Sequence, residues 1–303
     1  MSAHSSNPTK AIMYAFFANL GVAVTKAIAA YFTQSTALAA EAIHSVADVG
    51  NQVLLLVGLK RSQQPADHEH PLGYGKASYF WSFMVAILLF TIGGMFSIYE
   101  GTDKLSHPEP MRYAWVALLV LVVSIVLEAF SLRGCLAEIG KISNGRTLRE
   151  WVRTTRSSEL LVVLGEDFAA LVGLSIALVF VLLAVVTGNP VYDAVGSICI
   201  GVLLVLVAIF ISIKVKSLLI GRSADPQTVE QILAIIRDDA DVLELYNAAT
   251  LQMGPQAMLA IKIRMRESLS VGEAARAINE LERNIKAAIP DIGWCFVEID
   301  VAD

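Results

Sequence analysis

Six long apolar stretches, separated by short polar segments, fill the first two thirds of the chain. They cover residues 11–33, 37–60, 78–102, 112–136, 159–187 and 192–217. Each one reaches the roughly 20 apolar residues that a helix needs to cross the hydrocarbon core of a bilayer. The pattern therefore predicts a domain of six transmembrane helices over residues 1–222.

The pattern changes after about residue 223, where polar and apolar positions mix as they do in soluble domains. Residues 226–239 and 271–288 have a helical period, whereas residues 243–252, 257–265 and 293–301 alternate like strands. The order αββαβ predicts a small two-layer α+β domain over residues 223–303, similar to ferredoxin-like or metallochaperone-like folds.

The composition agrees with a membrane protein and excludes several other classes. Hydrophobic residues make up 55% of the 303 positions and charged residues only 17%, against about 25% charged in soluble domains. Nothing indicates nucleic-acid binding, and no nucleophile and base are spaced as in an enzyme. The three cysteines lack the spacing of a metal site or a disulfide framework, and no cleaved signal peptide is expected.

Basic residues gather in alternate loops between the predicted helices, and this sets the expected orientation. One side holds Lys10, Lys60, Arg61, Lys76, Arg133, Lys141, Arg146, Arg149, Arg153, Arg156, Lys214, Lys216 and Arg222; the other holds Lys104 and Arg112. Because positive loops stay in the cytoplasm, both termini and the C-terminal domain are predicted to be cytoplasmic. A bacterial inner membrane is the expected location.

The second apolar stretch carries ionisable residues within the segment HSVAD. His44 and Asp48 lie one helical turn apart, and Glu41 and Asn51 extend the same face of the helix. A carboxylate at the centre of a membrane helix costs about 2.5–3.5 kcal/mol. Such residues need a compensating partner, which makes this face a candidate functional site.

A second polar position lies in the fifth stretch, where Glu166 and Asp167 are consecutive. They are about 100° apart around a helix, so both cannot point the same way, and at least one is expected to face the second helix. Imidazole and carboxylates together suit Zn²⁺, with Mn²⁺, Fe²⁺ and Co²⁺ as alternatives. A structural hydrogen bond between helices and a metal-free proton relay remain open.

Several segments in order along the chain are similar to those of one transporter family. They are HSVAD in the second helix, ADHEHPLGYGK in the loop after it, YEGTDKLSHPEP at the end of the third helix, VYDAVGSI at the start of the sixth, and LLIGRSADP after it. With six helices and an αββαβ tail, the chain resembles the cation diffusion facilitators, which exchange divalent cations for protons.

The resemblance implies a homodimer that exports a divalent cation, Zn²⁺ foremost, by alternating access between helices two and five. His44, Asp48 and Asp167 take the role of metal ligands, Glu166 that of fourth ligand or proton acceptor, and Asn51 that of support or alternative ligand. Metal and protons compete for such ligands, since a ligand must lose its proton to bind metal. No cofactor is expected besides the transported metal.

The fifth helix departs from the usual family pattern. Val163 stands where the first ligand of the helix is expected, and Glu166 or Asn51 could replace it. The pair Glu-Asp after the basic stretch GRTLREWVRTTRSSELLVVLGED resembles a branch related to the mitochondrial zinc transporter. The basic stretch itself is predicted to be an interfacial helix whose arginines meet lipid headgroups.

The family's second metal site and its cytosolic metal site also look altered. In the loop Asp67, His68 and His70 remain, but Tyr74 replaces the later histidine, so a weak site and a vestigial one are both possible. No histidine lies beyond His107. The tail is therefore expected to serve dimerisation rather than zinc binding, and a membrane metal sensor or scaffold that does not transport remains the alternative function.

Overall fold

A computed structural model describes residues 8–33, 36–107, 114–143 and 145–302, with the side chains of residues 33, 36–41, 43 and 44 left out of the description. The chain forms two compact units. The first contains the described residues up to Lys60, together with Ser78–Leu148 and Ser158–Lys216. The second contains Arg61–Ala77, Arg149–Ser157 and the described residues from Ser217 onward.

Helices account for most of the described residues up to Ile220, and most of these helices lie in the first unit. They are α1 (Pro8–Thr33), α2 (Thr36–Ser62), α3 (Ala77–Leu88), a π-helical segment (Leu89–Met95), α4 (Phe96–Ser106), α5 (Ala114–Ile142), the short α6 (Leu148–Thr154), α7 (Ser158–Thr187) and α8 (Val191–Ile220). Helices α3 and α4 and the π-helical segment form one continuous span, Ala77–Ser106.

Five helical stretches among the described residues are long and apolar enough to cross a membrane. They contain α1, the span Ala77–Ser106, α5, α7 and α8. Helix α2 is not among these five, although its 27 residues exceed the length that a bilayer requires. The chain is thus a multi-pass membrane protein, and the sixth span stays a prediction.

Small residues bring α4 and the π-helical segment against α8. A Cβ atom built on Gly101 would lie 2.8 Å from the carbonyl oxygen of Ala194, and one built on Gly201 would lie 2.8 Å from that of Gly94. Membrane helices pack closely through such residues because no side chain separates their backbones. Lys104 Nζ also reaches Asp193 Oδ2 at 3.2 Å, so two of the family-like segments meet here.

The tail of the second unit has the predicted order of elements. It consists of α9 (Pro226–Asp238), β1 (Val242–Met253), β2 (Gln256–Met265), α10 (Val271–Ala288) and β3 (Ile292–Ile299). Strand β2 lies in the centre of the sheet, antiparallel to β1 and parallel to β3. The parallel pair requires a crossover, and α10 supplies it.

The core of this tail is apolar. Its fully buried side chains include Ile232, Ile236, Leu259, Ile263, Leu281 and Ile285, which come from both helices and from β2. Both helices begin at a capping side chain: Asp225 accepts a hydrogen bond from the Gln227 amide, and Ser270 forms a reciprocal capping box with Glu273. The tail therefore holds its own hydrophobic core.

The stretch Arg149–Ser157 belongs to this second unit, and one of its arginines bonds to the backbone that leads into the tail. Arg156 Nε donates to the Ser223 carbonyl at 2.7 Å and Arg156 Nη2 to the Ala224 carbonyl at 2.9 Å. Arg222 Nη2 donates in turn to the Arg153 carbonyl at 3.0 Å. The Arg156 guanidinium binds peptide carbonyls, whose fixed geometry suits its fork of donors, while the contact of the stretch with lipid headgroups stays a prediction.

Candidate metal centre

Helix α2 places three polar side chains on or near one face within the first unit. Asn51 and Gln52 are buried, whereas Asp48, one turn earlier, is half-buried. The side chains of His44 and Glu41, also predicted for this face, lie outside the described part of the chain. Asp48 is thus the first residue of the predicted polar face whose side chain the structure describes.

Helix α7 directs the Glu166 carboxylate toward α2. Its Oε1 accepts a hydrogen bond from Asn51 Nδ2 at 3.0 Å, and its Oε2 accepts one from Gln52 Nε2 at 2.7 Å. Glu166 also interacts electrostatically with Asp48. Two neutral amide donors therefore hold Glu166 in place beside a second carboxylate, without supplying the positive charge that would neutralise the pair.

The neighbouring Asp167 turns to a different helix. Its Oδ2 accepts a hydrogen bond from Ser131 Oγ of α5 at 2.8 Å, and the side chain is 1% exposed. The divergence follows from helical geometry, since consecutive residues project about 100° apart. Of the two carboxylates, Glu166 is the one that contacts α2, while Asp167 contacts α5.

This cluster also contains three charged or polar side chains that were not predicted from the sequence to belong to it. Gln52 is the second donor to Glu166, Glu128 of α5 is buried at 3% exposure, and Lys26 of α1 interacts electrostatically with both Asp48 and Glu128. Lys26 and Glu128 both interrupt apolar stretches in the sequence. The criterion that selected Asp48 would have found them.

The cluster offers carboxylate oxygens to a cation without forming a finished coordination shell. Among the described residues, no three His, Cys, Asp or Glu side chains converge as a ligand group. Val163, one turn before Asp167, is fully buried and contributes no donor atom. What the geometry provides is a set of carboxyl oxygens in the apolar interior, which attract cations strongly at low local dielectric once they are ionised.

The loop after α2 uses its ligands differently. Asp67 Oδ2 accepts a hydrogen bond from the Tyr74 hydroxyl at 2.6 Å, and Asp67 Oδ1 accepts one from the His70 amide at 2.7 Å. The Tyr74 hydrogen bond is the main reason that the pKa of Asp67 lies below its usual range. Both Asp67 oxygens already have donors, one of them the Tyr74 hydroxyl. Asp67, His70 and the neighbouring His68 are exposed.

Comparison with known proteins gives the family. The model of the cation efflux transmembrane domain matches residues 12–220, and that of the cytoplasmic domain of cation efflux proteins matches residues 224–301. The chain belongs to the cation efflux family. These are the cation diffusion facilitators, so the resemblance drawn from the sequence motifs is confirmed.

Curated relatives come from plants, animals and bacteria. Metal tolerance protein C4 of Arabidopsis thaliana is 34% identical over 248 residues, covering 81% of this chain and 54% of the relative. The human mitochondrial proton-coupled zinc antiporter SLC30A9 is 32% identical over 249 residues, which cover 82% of this chain and 44% of the relative. Magnetosome protein MamB of Magnetospira sp. (strain QH-2) is 26% identical over 288 residues, covering 93% and 91%.

This cation diffusion facilitator spans about half the length of the plant and animal relatives it matches. Similarity to them therefore concerns the part that this chain shares with them. The family consists of transporters rather than enzymes, and membership agrees with the carboxylates found inside the membrane unit.

Proposed function

We propose that this chain is a divalent cation/proton antiporter that exports Zn²⁺, or the related Mn²⁺, Fe²⁺ or Co²⁺, from the cytoplasm by alternating access. The transported ion binds between α2 and α7. His44, Asp48, Glu166 and Asp167 supply the ligands, and Asn51 holds Glu166 in position. Imidazole and carboxylate together are ligands that these borderline cations accept.

The observation that carries this proposal is the position of Glu166. Its carboxylate is buried, fixed by Asn51 and Gln52, and within electrostatic range of Asp48 on the facing helix. Ionisable groups inside a membrane protein are costly and mark ion pathways. A cation that binds between Asp48 and Glu166 would offset their mutual repulsion and link α2 to α7.

Proton exchange follows from the same ligands. A carboxylate or imidazole binds metal only after it loses its proton, so metal and protons compete for one site. When the site opens to the cytoplasm, metal displaces protons; when it opens to the other side, protons displace the metal. The human relative's name, a proton-coupled zinc antiporter, supports this assignment.

The tail supports a homodimer. Leu243 on β1 and Phe296 and Ile299 on β3 expose 57%, 54% and 46% of their surface, although they are large apolar side chains. Exposed apolar side chains of this size are typical of surfaces that pack against a partner. We place both termini in the cytoplasm, because basic residues favour one set of loops. We place the protein in a bacterial inner membrane.

Uptake of ⁶⁵Zn²⁺ into proteoliposomes tests the assignment. We expect Asp48→Ala and His44→Ala to reduce uptake to the level of empty vesicles and to leave the dimer intact by size-exclusion chromatography. Ser175→Ala is a suitable control, because its hydroxyl bonds only to the Leu171 carbonyl within α7. Unchanged uptake in both ligand variants would contradict the site, whereas no uptake of any cation by the wild type would favour a sensor or scaffold.

A further inference from the structure

Glu128 is a buried carboxylate on α5, outside the pair of helices assigned to transport. Its side chain is 3% exposed, and it is the first charged residue of α5, after fourteen residues of which only Ser124 is polar. It interacts electrostatically with Glu166 and Asp48 as well as with Lys26. An ionisable side chain at such a position needs a function or a partner, because burial of a charge is expensive.

Glu128 also acts on Asp167 of α7, the acidic residue next to Glu166. Glu128 is the largest electrostatic influence on the Asp167 carboxylate, ahead of the adjacent Glu166. Ser131, three residues after Glu128 on α5, donates to Asp167 Oδ2 at 2.8 Å. Residues three apart share a helix face, so the hydrogen bond places Glu128 and Asp167 on facing surfaces of α5 and α7.

Two polar atoms on these surfaces remain without a partner among the described residues. Asp167 Oδ1 and Ser124 Oγ are both buried and accept or donate no hydrogen bond. Ser124 lies one turn before Glu128, on the same side of α5. Buried polar atoms in native structures normally have partners, so two unsatisfied oxygens beside an acidic pair indicate a ligand that binds there.

The balance of charge points to a cation. Asp48, Glu128, Glu166 and Asp167 act on one another electrostatically, and Lys26 acts on Asp48 and Glu128. When these acids lose their protons, one ammonium is not enough to neutralise four carboxylates. The acidic oxygens extend beyond the Asp48–Glu166 position and toward α5.

We propose that Glu128 and Ser131 form a second cation position in the membrane unit that shares Asp167 with the transport site and lies next to the position between Asp48 and Glu166. All its donor atoms are oxygens, so it favours hard divalent cations such as Mn²⁺ over ions that prefer nitrogen or sulfur. This inference rests on the proposed transport function and adds to it that the ion pathway reaches α5.

Binding of Mn²⁺ alone to the purified full-length chain tests the second position. Free Mn²⁺ gives an electron paramagnetic resonance signal that is lost on binding, so bound ions can be counted per chain. All proteins carry Asp67→Asn, which removes the loop as a source of bound metal. We expect Glu128→Gln to hold one Mn²⁺ fewer than its parent, and Asp48→Asn to retain the Mn²⁺ at the second position.

Glu138→Gln is the matched control, since Glu138 is also a buried acid on α5 but pairs with Lys141 at the end of the helix. It should bind as many ions as its parent. Equal Mn²⁺ counts in Glu128→Gln and its parent would overturn the proposal. So would loss of all bound Mn²⁺ in folded Asp48→Asn, a result that does not depend on how well Glu128→Gln folds. ⁶⁵Zn²⁺ uptake by the wild type, measured separately, tells whether the transport function itself has failed.

Discussion

The membrane unit and the tail treat their charged residues in opposite ways. In the tail, the core contains apolar side chains, and acidic groups lie at the surface where they cap helices or pair with bases, as Glu273 does with Ser270 and Asp300 with Lys262. In the membrane unit, Glu128, Glu166 and Asp167 are buried close to one another. Lys26 acts on Glu128 and on the nearby Asp48.

This contrast separates what stabilises the fold from what carries out the function. These acidic groups of the tail have partners within the tail, so they contribute mainly to stability. The membrane unit keeps buried oxygens that its own side chains leave unsatisfied, which lowers stability in return for attraction of a cation. Substitutions in the tail should therefore change folding, whereas substitutions in the membrane cluster should change metal binding.

The largest effect is expected from a substitution in the tail core. Ile263 is completely buried on β2, so Ile263→Ala should lower the free energy of unfolding of the tail by about 2–5 kcal/mol through lost apolar contact and an unfilled cavity. Hydrogen exchange of tail peptides in the full-length chain measures this. Val301→Ala, at a position 77% exposed, should leave exchange unchanged. An altered metal affinity of a folded Ile263→Ala protein would contradict the claim that the tail stabilises the fold while the membrane cluster binds the metal.

A smaller effect is expected where the amides hold Glu166. Asn51→Leu removes the donor to Oε1 while it keeps a similar volume, so Glu166 loses its fixed orientation. Groups that orient metal ligands typically account for 10- to 100-fold in metal affinity, and a weakening of about this size should appear in calorimetric Zn²⁺ titrations. The variant should melt as a folded protein. An unchanged affinity would show that Glu166 does not ligate the ion.

A modest loss is expected at the N-terminus of α10. Ser270→Ala removes the side chain that accepts from the Glu273 amide, and loss of such a cap costs about 1 kcal/mol of stability. Exchange of the first-turn amides of α10 should quicken, with no change in ⁶⁵Zn²⁺ uptake. Ser270→Asp should restore protection, because aspartate caps a helix equally well. Failure of that rescue would contradict a capping role.

The smallest effect concerns the loop. The Tyr74 hydroxyl lowers the pKa of Asp67. Their hydrogen bond therefore stabilises the loop fully at pH values above the ordinary aspartate pKa. This stabilisation is lost as the pH falls through the lowered pKa of Asp67 in the folded protein. In Tyr74→Phe, the pKa of Asp67 should rise toward its usual range. The pH at which the exchange of loop amides accelerates should rise with it. An unshifted midpoint would mean that the hydrogen bond contributes nothing in solution.

The sequence was most informative where periodicity determines structure. In the tail, helix α10 and the start of α9 fall where the alternating and helical patterns predicted them, and each strand lies within one or two residues of expectation. These elements have one apolar face, so burial fixes them. The predicted membrane stretches likewise match helices. The π-helical segment Leu89–Met95, which separates α3 from α4, could not be predicted from the periodicity of the sequence.

The sequence was less informative about which helices meet. A helical wheel shows that Glu166 and Asp167 diverge, but not that Asp167 faces Ser131 on α5. Neighbours in a bundle are set by the packing of whole helices, not by one stripe of residues. The role of Arg156 in binding the Ser223 and Ala224 carbonyls was hidden for the same reason. By contrast, Glu128 was visible in the sequence as a carboxylate within an apolar stretch.

The central claim is that carboxylates in the membrane unit exchange a divalent cation for protons. Metal-driven proton movement in proteoliposomes tests it directly, with a pH-sensitive dye inside the vesicles and Zn²⁺, Mn²⁺, Fe²⁺ and Co²⁺ added in turn. We expect at least one of these cations to drive proton flux in the wild type and none to do so in Asp48→Ala. Cation entry without proton movement, or equal proton flux in Asp48→Ala, would contradict the account.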